Sequence, residues 1–308
     1  MGTAPIAVPA LRACLEIDDI ELLGVVTQPP ARRGRGRKEQ LSAVHQAALT
    51  LDLPVRTPAR FAGVEGDAIL DEFLPDACLV MAYGQIIKAP HLARCPKRWL
   101  NLHGSLLPRW RGAAPIERCL EAGDSETGVQ LMEMQTGLDT GPVFAERRIA
   151  TRGHTAGSLI DALADQAAVL TQDSLALALL GQLKPEPQDD SKACYAKRIL
   201  STEGQIDFSG SADVWARRSR AFNPRLGLRC TLKTKEKEYL VKFWQADVIA
   251  DTTATKPGSI LRADKQGLWV SCQQGVLNIR ELQLVGKRRL PWSQWRSGVQ
   301  LTQDDHFL

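Results

Sequence analysis

The chain is 308 residues long, 44% hydrophobic and 24% charged, with 39 Lys and Arg against 35 Asp and Glu and a formal net charge of +4. That length implies two domains, and the hydrophobic fraction is that of an ordinary globular protein with a sizeable core. No run of about 18 apolar residues occurs, which excludes a membrane-spanning helix, and the opening MGTAPIAVPALRACLEIDD lacks the basic and apolar segments of a secretory signal.

In chain order, residues 8–17 have a short helical pattern, and IELLGVVT (20–27) reads as a strand buried on both faces. A basic loop, RRGRGRK (32–38), follows, and 39–51 looks helical. DACLVMAYGQII (76–87) and RWLNLHGS (98–105) are further strands with their loops. Strands alternating with helices at this spacing predict an α/β domain with a mostly parallel, Rossmann-like sheet. TGVQLMEM (127–134) and GPVFAERRIA (141–150) add strands, and 155–183 is a long helix with Thr155 as N-cap and Gly181 near its end. KPEPQDDSK (184–192) has the composition of a linker. Beyond residue 204, LRCTLKT, YLVKFWQADVI, GSILRA and GLWVSCQQGVLNIRELQL are short β-rich runs separated by glycine and charged turns, which predicts a small all-β barrel or sandwich. The expected domains are 1–183, a linker over 184–203, and 204–308.

The chemistry is concentrated at Asn101 and His103. On a strand they share a face about 7 Å apart, and the GSLLP that follows puts them at the strand's carboxyl end, where open α/β sheets place their ligands. An amide offers two N–H donors and an imidazole moves a proton near neutral pH, the two needs of acyl or formyl transfer. An Asn-x-His alone fits better a buried histidine satisfied by a backbone carbonyl beside a turn-forming Asn. In QTGLDTGPV (135–143), Asp139 sits between Gly137 and Gly141, which let the backbone turn and hold an acid toward a ligand; a turn-stabilising Asp reads the same way.

No competing chemistry stands out. His45, His91, His103, His154 and His306 make no metal-binding spacing, and neither a P-loop nor a Gly-x-Gly-x-x-Gly fingerprint occurs. Cys14, Cys78, Cys95, Cys119, Cys194, Cys230 and Cys272 stand singly with no Cys-x-x-Cys, which predicts reduced thiols in a cytoplasmic protein. No exposed apolar repeat suggests an interface, so a monomer is expected.

Residues 101–143, NLHGSLLPRWRGAAPIERCLEAGDSETGVQLMEMQTGLDTGPV, resemble the signature region of the methionyl-tRNA formyltransferases. The similarity extends over essentially the whole chain, through AYGQII, LPV after the basic loop, SRAFNP at 219–224 and VGKRR at 285–289. The resemblance implies formyl transfer from 10-formyltetrahydrofolate to the α-amine of methionine on initiator tRNA, with no metal and no covalent intermediate. It makes Asn101, His103 and Asp139 the catalytic trio. Asn101 and His103 would stabilise the developing oxyanion, and Asp139, through His103 or a water, would set protonation. Ser105, Leu106, Leu107 and Pro108 would line the folate site, with Ala82, Tyr83 and Gly84 close by. The same resemblance gives the second domain as an OB-like barrel.

RRGRGRK packs five cations into seven residues. Alone it reads as a solvated loop, but a tRNA substrate gives those cations phosphates to neutralise. By resemblance Arg35 is its key arginine, followed by Arg33, Arg37 and Lys38, and the barrel would add Lys287, Arg288 and Arg289. A related formyltransferase acting on an amino-sugar nucleotide would keep the trio and the SLLP tract; the arginine loop and PRWRGAAPI favour the tRNA enzyme. The family opens with a hydrophobic strand ending in a Gly-Thr-Pro-like turn. MGTAPIAVP aligns with that strand's end, so the first strand is expected to be missing. Losing about five buried apolar residues forfeits roughly 1.5–3 kcal/mol each. The expectation is a natural start upstream of Met1, with an inactive folate- or tRNA-binding product as the alternative if the chain is truncated.

Overall fold

The computed structural model describes residues 1–308 apart from 34–37, 251–254 and 303, and at position 33 the backbone alone. The first elements are α1 (Ala7–Cys14), β1 (Val25–Val26), β2 (Ala31–Arg33), β3 (Lys38–Gln40), α2 (Ala43–Thr50), β4 (Val55–Arg56) and α3 (Gly63–Phe73). There follow β5 (Ala77–Val80), α4 (Ala89–Leu92), β6 (Arg98–His103), β7 (Arg111–Gly112), α5 (Pro115–Ala122), β8 (Glu126–Glu133), β9 (Val143–Ala150), the long α6 (Ala156–Leu179) and β10 (Tyr195–Ala196). The last are α7 (Ala212–Ala221), β11 (Leu228–Lys233), β12 (Glu238–Ile249), β13 (Ile260–Asp264), β14 (Gly267–Ser271), β15 (Val276–Leu284), β16 (Arg289–Pro291), α8 (Trp292–Trp295) and β17 (His306–Phe307).

The chain divides into two compact units. One comprises Met1–Pro115, Glu126–Ala150 and Ile160–Ala196; the other comprises Ile116–Ser125, Thr151–Leu159 and Lys197–Leu308.

In the first unit β5, β6, β8 and β9 form a four-stranded sheet in that order, parallel between β5 and β6 and antiparallel thereafter. β1 and β4 form a separate parallel pair. A core of Val26, Phe61, Ile69, Leu70, Val80, Tyr83, Ile87, Cys95 and Trp99 packs in this unit. The expected helix over 39–51 is shorter. Lys38–Gln40 instead pair with Ala31–Arg33 as a hairpin around the basic loop, and α2 begins after Ser42, whose hydroxyl accepts the His45 N–H at 2.9 Å.

Of the strand expected over 20–27, only Val25 and Val26 pair, with Val55 and Arg56. The reason lies on the inner edge of β1, which does not meet β5. Met1 and Gly2 link the two: the Met1 nitrogen donates to the Leu79 carbonyl at 2.5 Å, and Gly2 N–H donates to the Val26 carbonyl at 3.0 Å. Gly2 also bridges Met81 in parallel fashion. Beyond this link lies a cavity of about 560 Å³, lined by Ala10, Cys14, Leu23, Val25, Leu79 and Leu100 among others. The sheet is therefore in two pieces, where the sequence leads one to expect a missing strand.

In the second unit the strands run β13-β14-β15-β12-β11-β17, with β16 on β15. A bridge between Ser259 and His306 ties the two ends into a nearly closed barrel. Phe208, Phe243 and Phe307 pack edge-on and tilted against one another in its core, with centroids 5.3–6.0 Å apart. The β-rich runs of the sequence coincide with these strands. The helix α7 does not show in that pattern. Ser211 caps it through the Val214 N–H, and Arg218 and Arg220 in its last turn suit the helix dipole.

Candidate active site

β6 lies inside the four-stranded sheet, with Asn101 opposite Val80 on β5 and Met132 on β8 and His103 opposite Gln130. The period of two puts Asn101 and His103 on one face. Asn101 is half-buried, and no described residue hydrogen-bonds its amide; His103 is buried. The His103 Nε2 lies 3.0 Å from the Trp110 carbonyl, which can only accept, so Nε2 is the donor of this hydrogen bond.

Asp139 comes to the same place from the β8–β9 connection. Its Oδ2 accepts the Gly112 N–H at 2.8 Å and stands 3.7 Å from His103 Nδ1. Its own backbone is left-handed, at φ 53°. Gly141 is required nearby, because a Cβ there would fall 1.8 Å from the Glu133 carbonyl oxygen. The structure thus brings the three polar residues together.

The tract after His103 is folded back on them. Ser105 is fully buried and its hydroxyl donates to the Arg109 carbonyl at 2.7 Å. Gln130 accepts the Leu107 N–H at 2.7 Å and donates to Glu146 at 2.6 Å, which fixes the Leu-Leu-Pro backbone to the sheet. Leu106 lies over Gly128, where a Cβ would come within 2.6 Å of its Cδ2. Because β5 runs parallel beside β6, Ala82–Gly84 leave the sheet at the same edge. The Tyr83 ring is in the core, 2% exposed, with the phenol's pKa raised by burial, and its carbonyl accepts from Thr3 and Gln28, each at 2.9 Å.

Sequence reasoning missed the support of this site. Arg111 is buried, and its guanidinium donates to Gln188 at 3.0 and 2.8 Å and to Asp190 at 2.6 Å. Gln188 belongs to the stretch that reads as a linker, and nothing in its charge and proline content signals a site residue. Among the described residues, no group of three or more His, Cys, Asp and Glu could hold a metal ion, and no helix is long and apolar enough to cross a membrane.

Of the residues expected to meet tRNA, Arg35 and Arg37 lie outside the described residues, as does the side chain of Arg33, whose backbone pairs with the exposed Lys38. Lys287 and Arg288 are exposed, whereas Arg289 is half-buried and committed to Asn223 and Glu281, with its guanidinium 4.8 Å from the centre of the Trp244 ring.

Residues 2–173 match the formyl transferase family and 198–300 the formyl transferase C-terminal domain. A methionyl-tRNA formyltransferase of Janthinobacterium sp. is 39% identical, covering 99% of this chain and 98% of its own; one of Bordetella bronchiseptica is 41% identical over 94% and 95%. An N-formyltransferase from Helicobacter canadensis, solved with folinic acid and dTDP-3-aminofucose, shares the fold at 16% identity, with a TM-score of 0.66 over 90% of this chain and 97% of its own.

Proposed function

The chain belongs to the methionyl-tRNA formyltransferases within the formyl transferase family, and from that premise we propose the following reading of its reaction and site. It transfers a formyl group from 10-formyltetrahydrofolate to the α-amine of methionine on initiator methionyl-tRNA, for translation initiation. The observation that carries the reading down to residues is the meeting of Asn101, His103 and Asp139 at one strand end, beside the Leu106–Pro108 tract.

10-formyltetrahydrofolate, when bound, supplies the formyl group. Apolar Leu106, Leu107 and Pro108 with Ser105, and the backbone of Ala82, Tyr83 and Gly84, fit a flat ring that needs an apolar slot with a few polar contacts. Asn101, whose amide has no described partner, donates to the formyl oxygen as that oxygen gains charge under attack by the amine. His103 donates to the Trp110 carbonyl through Nε2, so its open Nδ1 and the Asp139 carboxylate together receive the amine's proton and return it to the leaving nitrogen. Once it holds the proton, the His103 ring adds its positive charge to the field that stabilises the oxyanion beside Asn101.

Residues 1–183 carry the transfer, 184–203 connect, and 204–308 engage tRNA. Arg33, Arg35, Arg37, Lys38, Lys287, Arg288 and Arg289 neutralise its phosphates; Arg289 does so only by loosening its hold on Glu281. The protein works as a monomer in the cytoplasm.

The test is formyl transfer from 10-formyltetrahydrofolate, with initiator methionyl-tRNA and a dTDP-linked amino sugar as alternative acceptors. Transfer to the tRNA that disappears in Asn101→Ala supports the reading. Transfer to the amino sugar alone overturns the acceptor.

A further inference from the structure

Gln188 stands in the segment between α6 and β10, and both ends of its amide are used. Its Oε1 accepts from Arg111 Nε and Nη2 at 3.0 and 2.8 Å. Its Nε2 donates to the carbonyl oxygens of Asp139 and Gly141 at 2.8 and 2.6 Å. The orientation of the amide is not arbitrary. A guanidinium only donates and a carbonyl only accepts, so the oxygen must face Arg111 and the nitrogen must face the 139–141 backbone.

Arg111 is itself fixed. It is 3% exposed, reaches Asp190 at 2.6 Å, and sits in β7, whose backbone pairs with Tyr195 and Ala196. The residue after it, Gly112, supplies the N–H that holds the Asp139 carboxylate. Asp139 is thus gripped twice from one support: its carboxylate by the β7 backbone, and its backbone carbonyl by an amide that β7 orients. A non-glycine residue at φ 53° keeps that backbone only where its surroundings over-determine it, and these bonds do so.

We propose that Gln188, oriented by Arg111, is a positioning residue for the reaction: it sets the 139–141 backbone so that the Asp139 carboxylate stays within reach of His103. This rests on the reading of Asp139 as a catalytic group.

The experiment measures kcat, KM for each substrate, the pH profile and thermal stability for the full-length protein and for Gln188→Met, Gln188→Glu, Asp139→Asn and the Asp139→Asn/Gln188→Met double variant. Gln188→Met keeps the length and removes all four hydrogen bonds. Gln188→Glu keeps an acceptor for Arg111 but turns an oxygen on the Asp139 and Gly141 carbonyls. Both are expected to lose about 10- to 100-fold in kcat, with both KM values within about threefold. The acid limb of kcat/KM should move by about half a pH unit or more. In the Asp139→Asn background, Gln188→Met should cost nothing further.

A wild-type kcat and pH profile in both Gln188 variants, with or without a fall in melting temperature, overturns the proposal, as does full additivity with Asp139→Asn. Full activity in Asp139→Asn is a different failure, which removes the reading of Asp139 and leaves the hydrogen bonds of Gln188 structural.

Discussion

His103 presents Nδ1 to Asp139: its Nε2 lies 3.0 Å from the Trp110 carbonyl, and Nδ1 stands 3.7 Å from Asp139 Oδ2. In the proposed reaction this pair of groups is where the amine's proton is received.

Asp139→Asn keeps an oxygen for the Gly112 N–H and removes the charge that, in the proposed reaction, shares the incoming proton. The expected result is a loss of about 10²- to 10⁴-fold in single-turnover formyl transfer, with an unchanged circular dichroism spectrum. Retention of the rate would assign the proton to another group.

Asn101→Asp preserves shape and removes both N–H donors from a position where negative charge develops. Its kcat should fall by about 10²- to 10³-fold while KM for the folate donor changes little. A selective rise in KM would instead make Asn101 a binding residue.

Gln130→Leu leaves the buried Leu107 N–H without its partner and Glu146 with Arg148 alone. A urea titration should show a loss of about 1–3 kcal/mol. KM for the folate donor should rise, because the Leu-Leu-Pro backbone is no longer tied to β8.

The Lys287→Gln/Arg288→Gln double variant removes two exposed cations without touching the internal bonds of Arg289. Initiator tRNA binding should weaken, and the slope of log K against log salt should become shallower by about 0.9 for each duplex phosphate that is no longer neutralised. An unchanged slope would place the tRNA elsewhere.

Glu203 supplies a pH-dependent prediction. Hydrogen bonds from Arg118 hold its carboxyl below the usual carboxylate range against the opposing effect of burial, and the Leu200 N–H assists. A depressed folded-state pKa gives stability that is complete above the unfolded value of about 4.3 and lost as pH falls through the folded one. Glu203→Gln should therefore be less stable than the natural chain by about 1 kcal/mol at pH 7. The two should converge below pH 4 in chemical denaturation.

The strand bearing Asn101 and His103 was legible because alternation, a following turn and paired polar residues all agree on one face. The glycines around Asp139 were legible for a similar reason, since Gly141 has no room for a Cβ. Gln188 was not, because a linker and a strap have the same composition and differ only in what they touch. The burial of the Tyr83 ring was not legible either, because its motif marks the edge of the sheet and not which way the ring turns. The hairpin flanking the basic loop escaped because it is made of charged residues, which β-propensity disfavours, and α7 because it falls in a segment of otherwise β texture.

The cavity beside Met1 and Gly2 leaves few contacts between β1 and the four-stranded sheet, which predicts local opening there. Val25 and Val26 are held on one side by β4 and on the other by Gly2, whereas the strand of Asn101 and His103 has partners along both edges. A seam therefore runs past Val26, Gly2 and Met81, along which β1, β4 and α2 can swing away as one cooperative unit while β6 stays closed. In native-state hydrogen exchange the amide of Gly2, which donates across this seam to the Val26 carbonyl, should open at a lower free energy than those of Leu100 and Leu102. On this account mild denaturant should loosen the seam while the strand of Asn101 and His103 keeps its pairing on both edges.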